Sequence, residues 1–242
     1  MKIFHLTVSL FFLTLSAFSQ GISVTYEIIQ NNLPPGSSVI KALLVDNDSL
    51  SKFINLLPPE IASKLPPSEG IIKDKRAALC YSDEGFLRTQ FSVRDTLHSM
   101  KWQLMGKSQT ILGYPCLSAA TRFRGRTYTA YYTRKLPISN GPRKLGGLPG
   151  LILAAKTDDG FIEWRATNVT LGKVPPINVA KMRARKNIDW NTFVARYKED
   201  VKRRIKYVRS QGTLPNEYEA KMLITSLEIF YPELQTGEGL SY

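Results

Sequence analysis

The sequence predicts a mainly β protein of the α+β class: a curved antiparallel meander, either a half-barrel or an incomplete barrel, with C-terminal helices packed on it. Three observations predict it. From residue 22 to residue 171, apolar and β-branched runs recur between clusters of Gly, Pro, Asn and Asp, the pattern of strands and turns. Two of those turns can be registered residue by residue as hairpins. Helical spacing of apolar residues is sustained only late in the chain, over about residues 189–230.

The chain opens Met-Lys, then runs apolar from Ile3 to Phe18 and reaches the small residues Ala17 and Ser19. A short apolar stretch behind one positive charge reads as a secretory signal peptide, residues 1–19, cleaved to leave Gln20 first. It is shorter than the roughly 20 residues of a membrane helix. Residues 20–242 then form a single β-rich domain. Segments 22–30 and 39–45 read as strands around Asn31-Asn32 and Pro34-Pro35-Gly36. Residues 48–70 contain two Pro-Pro pairs, which limit any helix to about two turns and predict short helical pieces or a loop. Strands are expected at 76–82, 86–92, 100–105, 109–123, 126–134, 150–157 and 161–171.

Around Asp159-Gly160 a type I′ turn sets Ala155 opposite Trp164 and Lys156 opposite Glu163. One face of that hairpin is then Leu151, Leu153, Ala155, Ile162, Trp164 and Ala166, the core side. Around Gly125 a type II′ turn stacks Phe123, Thr121, Ala119 and Leu117 against Tyr128, Ala130 and Tyr132. Arg122 and Arg124 take the opposite face with Cys116, Ala120 and Tyr131. That second face needs a cover, and the helix expected from Asp189 to Gly212 offers one. Trp190, Phe193, Val194, Tyr197, Val201, Ile205 and Val208 recur at helical spacing, Asp189 caps the start, and the basic last turns suit the helix dipole. A shorter helix is expected over about 217–230.

The formal charge is +13 at pH 7. Residues 120–145 hold Arg122, Arg124, Arg126, Arg134, Lys135, Arg143 and Lys144 with no acid among them. Such a field favours anionic partners, whether lipid, acidic polysaccharide or an acidic protein face. Export argues against nucleic acid, and membrane association is at most peripheral. Cys80 and Cys116 are the only cysteines, and an oxidising compartment permits a disulfide between them.

Catalytic signatures are sparse. Past the leader the only histidine is His98, so no paired-histidine zinc site can form, and no G-x-S-x-G elbow is present. Asp46-Asn47-Asp48 opens like a calcium loop, but Ser51 and Leu57 stand where glycine and a bidentate Glu are required. No metal and no cofactor is expected. Asp158 and Asp159 suit the turn better than a carboxylate pair. Glycines 141, 146, 147 and 150 with Pro142 and Pro149 predict φ > 0 bends that steer the chain into the strand at Leu151; the competing reading is a nest of amides for an anion beside Arg143 and Lys144. Bare backbone at Gly146, Gly147 and Gly150 also leaves room for Trp102 to press on it.

Gly147-Leu148-Pro149-Gly150-Leu151-Ile152-Leu153 resembles the signature of the GLPGLI family of exported bacterial proteins. It is accompanied by Gly113-Tyr114-Pro115-Cys116, Phe123-Arg124-Gly125-Arg126, Ala130-Tyr131-Tyr132-Thr133, Leu136-Pro137-Ile138 and Gly141-Pro142, all within residues 100–157. Tyr131 stands where the family pattern usually has Trp. The resemblance implies an exported compartment and a shared core rather than a reaction. Three classes of function follow. The first is a non-enzymatic periplasmic or secreted binding or adaptor protein of the envelope, accessory to an outer-membrane assembly or transporter. It would bind an apolar or anionic ligand or an envelope protein through Arg122, Arg124, Arg126, Tyr131 and Arg143. The second is a hydrolase in which Asp95, His98 and Tyr132 converge only in the fold. The third is a structural envelope protein with no pocket.

Overall fold

In the first strand Ile22, Val24, Tyr26 and Ile28 are buried in strict alternation with more exposed neighbours, the period of a strand with one face on a core. The computed structural model describes residues 20–30, 40–86, 89–210 and 227–228. Its elements are β1 (Gln20–Gln30), β2 (Ile40–Asp46), β3 (Leu50–Leu56), α1 (Pro59–Ala62), β4 (Ile71–Asp74), β5 (Leu79–Phe86) and β6 (Thr89–Thr96). They continue with β7 (Gln103–Ile111), β8 (Tyr114–Phe123), β9 (Arg126–Thr133), β10 (Leu151–Thr157), β11 (Ile162–Lys173), α2 (Ala180–Arg183), β12 (Asn187–Asp189) and α3 (Trp190–Ser210). The expected leader lies outside the described residues.

All twelve strands share one sheet in the order β12-β6-β5-β4-β3-β2-β1-β11-β10-β9-β8-β7. It is two antiparallel meanders, β1 to β6 and β7 to β11, joined where β1 pairs with β11. Only β12 runs parallel to its neighbour, β6. The sheet is open, for its edge strands β12 and β7 do not pair with each other. It is nevertheless bowed. Arg124, at the turn after β8, ion-pairs with Asp95 of β6, nine strand positions away. On a flat sheet that separation would be about 40 Å at roughly 4.8 Å per strand.

The connection from 134 to 150 fills the hollow side. Leu136, Leu145 and Leu148 join Ile22, Leu44, Phe53, Tyr132, Leu151 and Trp164 in one core cluster. This segment is therefore a plug of backbone and side chain, and its polar groups need internal partners. Asn140 supplies many of them. Its carbonyl accepts from Ile152 N at 2.9 Å, and its side-chain oxygen accepts from Gly141 N at 2.8 Å and from Lys73 Nζ at 2.7 Å. Its amide donates to Asp46, which is ion-paired with Lys75 at 2.7 Å.

The hairpin at 157–162 has the expected register, with Ala155 opposite Trp164 and Lys156 opposite Glu163, and its predicted core face is buried throughout. Its turn differs. Only Gly160 has positive φ (70°), and Gly160 N donates to Thr157 O while Phe161 N donates to Asp159. Asp159 therefore caps the Phe161 amide, Asp158 accepts from Thr129 Oγ1, and only the glycine takes the left-handed conformation. The hairpin at 123–126 is shifted by two residues from the predicted register, pairing Phe123 with Arg126 and Thr121 with Tyr128. Arg124 (φ 47°) and Gly125 (φ 84°) are the central pair, a type I′ turn. A shift of two preserves which face each side chain takes, so the face assignment survives the error in register.

Three further expectations are corrected. Residues 50–56, read as loop or helix, form β3, with Ser51 and Phe53 buried on one face. Its preceding turn is closed by Asn47, whose side-chain oxygen accepts from Ser49 N and Leu50 N. Second, α3 is held mainly over β5, β6 and β12, and of the second face expected for β8 and β9 it meets Arg124, through Trp190. Phe193, Tyr197 and Val201 point inward at i, i+4 and i+8, with Phe193 against Phe91. Asp189 caps α3 through Thr192, as expected. Third, Cys80 and Cys116 are separate buried thiols and form no disulfide. They lie on β5 and β8, strands that never pair. Burial pushes the Cys80 thiol up to about 11 and raises that of Cys116 as well, so both stay protonated. Of the helix expected over 217–230 only Leu227 and Glu228 are described, and they form a bend.

Candidate functional site

The residues between β3 and β4 are held off the sheet by their two proline pairs and by α1, which leaves a groove rather than a packed edge. Phe53 and Ile71 form its floor; Leu56, Leu65 and Pro67 form its walls; Arg143, from the plug, stands in its lining. The groove measures about 460 Å³, within the range of about 300–1,000 Å³ that small-molecule sites occupy. Leu56 and Leu65 remain 45% and 50% exposed, so its apolar walls face solvent. The far end of this connection is tied down firmly. Ser68 Oγ and Glu69 N donate to Asp83, which pairs with Arg185 at 2.7 Å. Hydrogen bonds from Lys181 and Lys52 hold the Glu69 carboxyl at about 2, far below its ordinary range. Gly70 has φ 74°, and a Cβ there would lie 2.3 Å from Phe53 O, so only glycine lets the chain turn into β4 this close to the groove floor.

Beside the groove lies a buried charge cluster. Lys144 Nζ pairs with Glu84 at 2.8 Å and with Glu228 at 2.7 Å. Arg124 bridges Asp95 and Glu228 and lies 3.3 Å above the Trp190 ring, where Lys144 also approaches at 4.4 Å. Arg143 faces both sites, lining the groove and standing 4.0 Å from Glu228. Burial alone would push the Glu228 carboxyl up, but Lys144, Arg124 and Arg143 outweigh it and hold the group below its ordinary value. Burial likewise pulls on Lys144, yet Glu228 and Glu84 keep its ammonium above its usual range. Charged groups of both signs therefore stay ionised inside the protein.

The structure divides the predicted binding residues. Arg124 and Arg126 are spent on internal contacts: Arg126 is buried, ion-paired with Asp159, stacked 3.8 Å over Phe161 and bonded to Leu227 O. Arg143 lines the groove. Tyr131 lies elsewhere, lining a separate polar depression with Thr129, Lys156 and Glu163. Arg122 is exposed on β8 and lines neither. Asp95 and His98 do meet, at 3.3 Å, with Arg124 beside them. Tyr132 does not join them. It is fully buried, paired with Leu117, six residues along β9 from Arg126, or roughly 20 Å of strand.

The signature Gly147 to Ile152 forms turns and the start of β10, and its amides are used inside the fold. Gly147 N donates to Ser139 Oγ, Gly150 N to Leu148 O, Leu151 N to Leu136 O and Ile152 N to Asn140 O. Trp102 lies against this backbone and donates to Gly146 O at 2.8 Å. Among the described residues no cluster of His, Cys, Asp and Glu is suited to hold a metal, and no helix is long and apolar enough to cross a membrane.

Sequence reasoning missed the groove, Lys73, Asn140, Glu84 and Glu228. The wall of the groove was visible only as two Pro-Pro pairs flanking Leu65. Lys144 belonged to a basic run that looked like surface, and no local pattern marks which cation of such a run is buried.

A family described as "Protein of unknown function (Porph_ging)", the GLPGLI family, matches residues 121–154. No curated protein matches the chain. Among solved structures, PNGF-II in two crystal forms is similar, at 19% identity, with TM-scores of 0.51 and 0.52. The alignments cover 74% and 72% of this chain but only 32% of the PNGF-II chain. MucB in complex with MucA from Pseudomonas aeruginosa aligns over 69% of this chain and 56% of its own, at 11% identity and a TM-score of 0.35. The PNGF-II likeness bears on the fold alone.

Proposed function

We propose that this chain, with its GLPGLI signature over residues 147–152, is a non-catalytic binding protein of the cell envelope. It reaches the periplasm or the exterior by cleavage of residues 1–19. Its ligand is an apolar chain carrying an acidic head. The observation that carries this reading is the groove itself: an apolar trough of about 460 Å³ with a single guanidinium, Arg143, in its lining. An acyl chain would lie along Phe53, Ile71, Leu56 and Leu65, and its carboxylate or phosphate would face Arg143. Asp83, the acid in the same lining, is already engaged by Ser68 and Arg185. Burial of apolar surface supplies the affinity at about 25 cal/mol per Å², and the arginine selects the head group.

The test is titration with a dansyl-labelled medium-chain fatty acid and with the corresponding alcohol. The acid is expected to bind at least several-fold more tightly than the alcohol, and Arg143→Gln should erase that preference. Leu65→Asp should weaken acid binding by roughly tenfold or more, since it places a charge on the apolar wall. Because Leu65 is half exposed, its thermal midpoint should stay near that of the unaltered protein. Failure of the acid to bind, or binding unchanged in Leu65→Asp, would remove this function.

A further inference from the structure

Leu227 and Glu228 are seated in the charge cluster in the way a docked peptide is seated. The Glu228 carboxylate is gripped by Arg124 and Lys144, with Arg143 at 4.0 Å. The backbone carbonyl of Leu227 accepts from Arg126 Nε at 2.9 Å. The Leu227 side chain packs against the main core cluster. One carboxylate, one backbone carbonyl and one apolar side chain are thus read together, which is how a short linear motif is recognised.

We propose that the cleft formed by Arg124, Arg126, Lys144 and Trp190 is a docking site for an apolar–acidic peptide segment of the Leu-Glu kind. In this reading Leu227–Glu228 fills it in cis, and a partner protein bearing the same pair can exchange with it.

The receptor side is built without help from Glu228. Arg124 is held by Asp95 and by the Trp190 ring, Lys144 by Glu84 and the same ring, and Arg126 by Asp159 and Phe161. Each cation therefore has a second partner that fixes its position, so the cleft keeps its shape when the carboxylate leaves. The charge balance points the same way. Among the described residues Asp95, Glu84 and Asp159 stand against Arg124, Lys144 and Arg126, and the acid paired with Arg143 is Glu228 itself. An emptied cleft is net positive, and an incoming acid restores neutrality. Desolvated charge-assisted contacts of this sort discriminate strongly against a neutral isostere. This proposal does not depend on the groove binding a fatty acid, although both sites share Arg143.

The test uses the fluorescein-labelled heptapeptide Thr-Ser-Leu-Glu-Ile-Phe-Tyr, the sequence of residues 225–231, read by anisotropy against the full chain. Leu227→Ala combined with Glu228→Ala in the full chain should bind it at least roughly tenfold more tightly than the unaltered protein, whose cleft is filled. The same peptide with Gln in place of Glu should lose about tenfold against that variant. Equal affinity for the two peptides, or no binding by the folded variant, overturns the proposal. Should the double variant fail to fold, Glu228→Gln decides. Uptake of the peptide above the unaltered level supports an exchangeable segment, and no uptake makes the pair a fixed part of the core.

Discussion

Gly150→Ala is expected to destabilise the protein more than the same change at the other positive-φ glycine of the signature, lowering the thermal midpoint by roughly 10 °C. The backbone at Gly150 has φ 155°, and a Cβ built there would stand 2.1 Å from Thr133 O and 2.7 Å from Thr133 C. Both atoms are backbone, and the adjoining Leu151 is paired with Thr133 in the β9–β10 ladder, so neither can retreat without opening the sheet. Strained φ costs about 1–3 kcal/mol, and overpacking adds about 1–3 kcal/mol more. At about 2–4 °C per kcal/mol for a domain of this size, the sum gives the expected drop. Gly147→Ala is the matched control. Its φ is also positive, at 91°, but a Cβ would meet Trp102 Nε1 at an ordinary 3.6 Å, so only the conformational cost of about 1–3 kcal/mol remains, without the overpacking. Circular dichroism melts of the two variants separate steric demand from backbone preference. A Gly150→Ala midpoint within a degree or two of Gly147→Ala would mean that close approach to Thr133 is not why glycine stands there.

The contrast explains what the signature does. Gly147 to Ile152 turns the chain off the plug, and its apolar members drop into the core while its amides are satisfied by Ser139, Leu148, Leu136 and Asn140. Four of its amide donors, those of Gly147, Gly150, Leu151 and Ile152, are thus used inside the fold and are not aimed at an anion.

Much of the fold was legible in the sequence because strand periodicity and turn chemistry are local. The 151–166 hairpin could be registered from its Asp-Gly turn and the alternation of Leu151, Leu153 and Ala155. The 123–126 hairpin was misregistered by two because Arg124 carries the positive φ of a type I′ turn, a conformation its sequence does not advertise. β3 was hidden because Ser51 and Phe53 make only a weak alternation beside two Pro-Pro pairs. The candidate site was less legible for a physical reason. Its parts come from β3, the plug, α3 and the chain near residue 228, and they meet only because the sheet bows. The basic run at 122–144 illustrates this. As a sequence it resembles a solvated face, yet Arg126 and Lys144 are buried and ion-paired, and only Arg143 lines the groove.

The buried Lys73 should make stability rise with pH through a window where most proteins lose it. Its ammonium donates to Asn140 Oδ1 at 2.7 Å and Leu145 O at 2.6 Å, and it is 4% exposed. Burial pulls its pKa from 10.5 down to about 8, with Cys80 and Asp46 partly opposing and Lys75 adding to the fall. Below pH 8 the folded and unfolded chains both carry the proton, and the folded state bears the full penalty of a desolvated charge. Between about 8 and 10.5 the folded chain has released a proton that the unfolded chain still holds, so raising the pH favours folding. A shift of this size corresponds to about 3 kcal/mol. Cys80 acts in the opposite sense: its folded pKa is raised to about 11 from 9.0, so between those values the unfolded chain loses a proton that the folded one keeps. The comparison is therefore with Lys73→Met, both chains carrying Cys80→Ala, because Lys73 itself lowers the Cys80 pKa and its removal would shift that second contribution. Urea midpoints for both proteins from pH 7.5 to 10.5 should show the chain that keeps Lys73 gaining about 3 kcal/mol on the one that lacks it. A flat difference would mean that the carbonyls of the plug hold the ammonium charged, and that the contact between β4 and the plug is a hydrogen-bonded ion rather than a titrating amine.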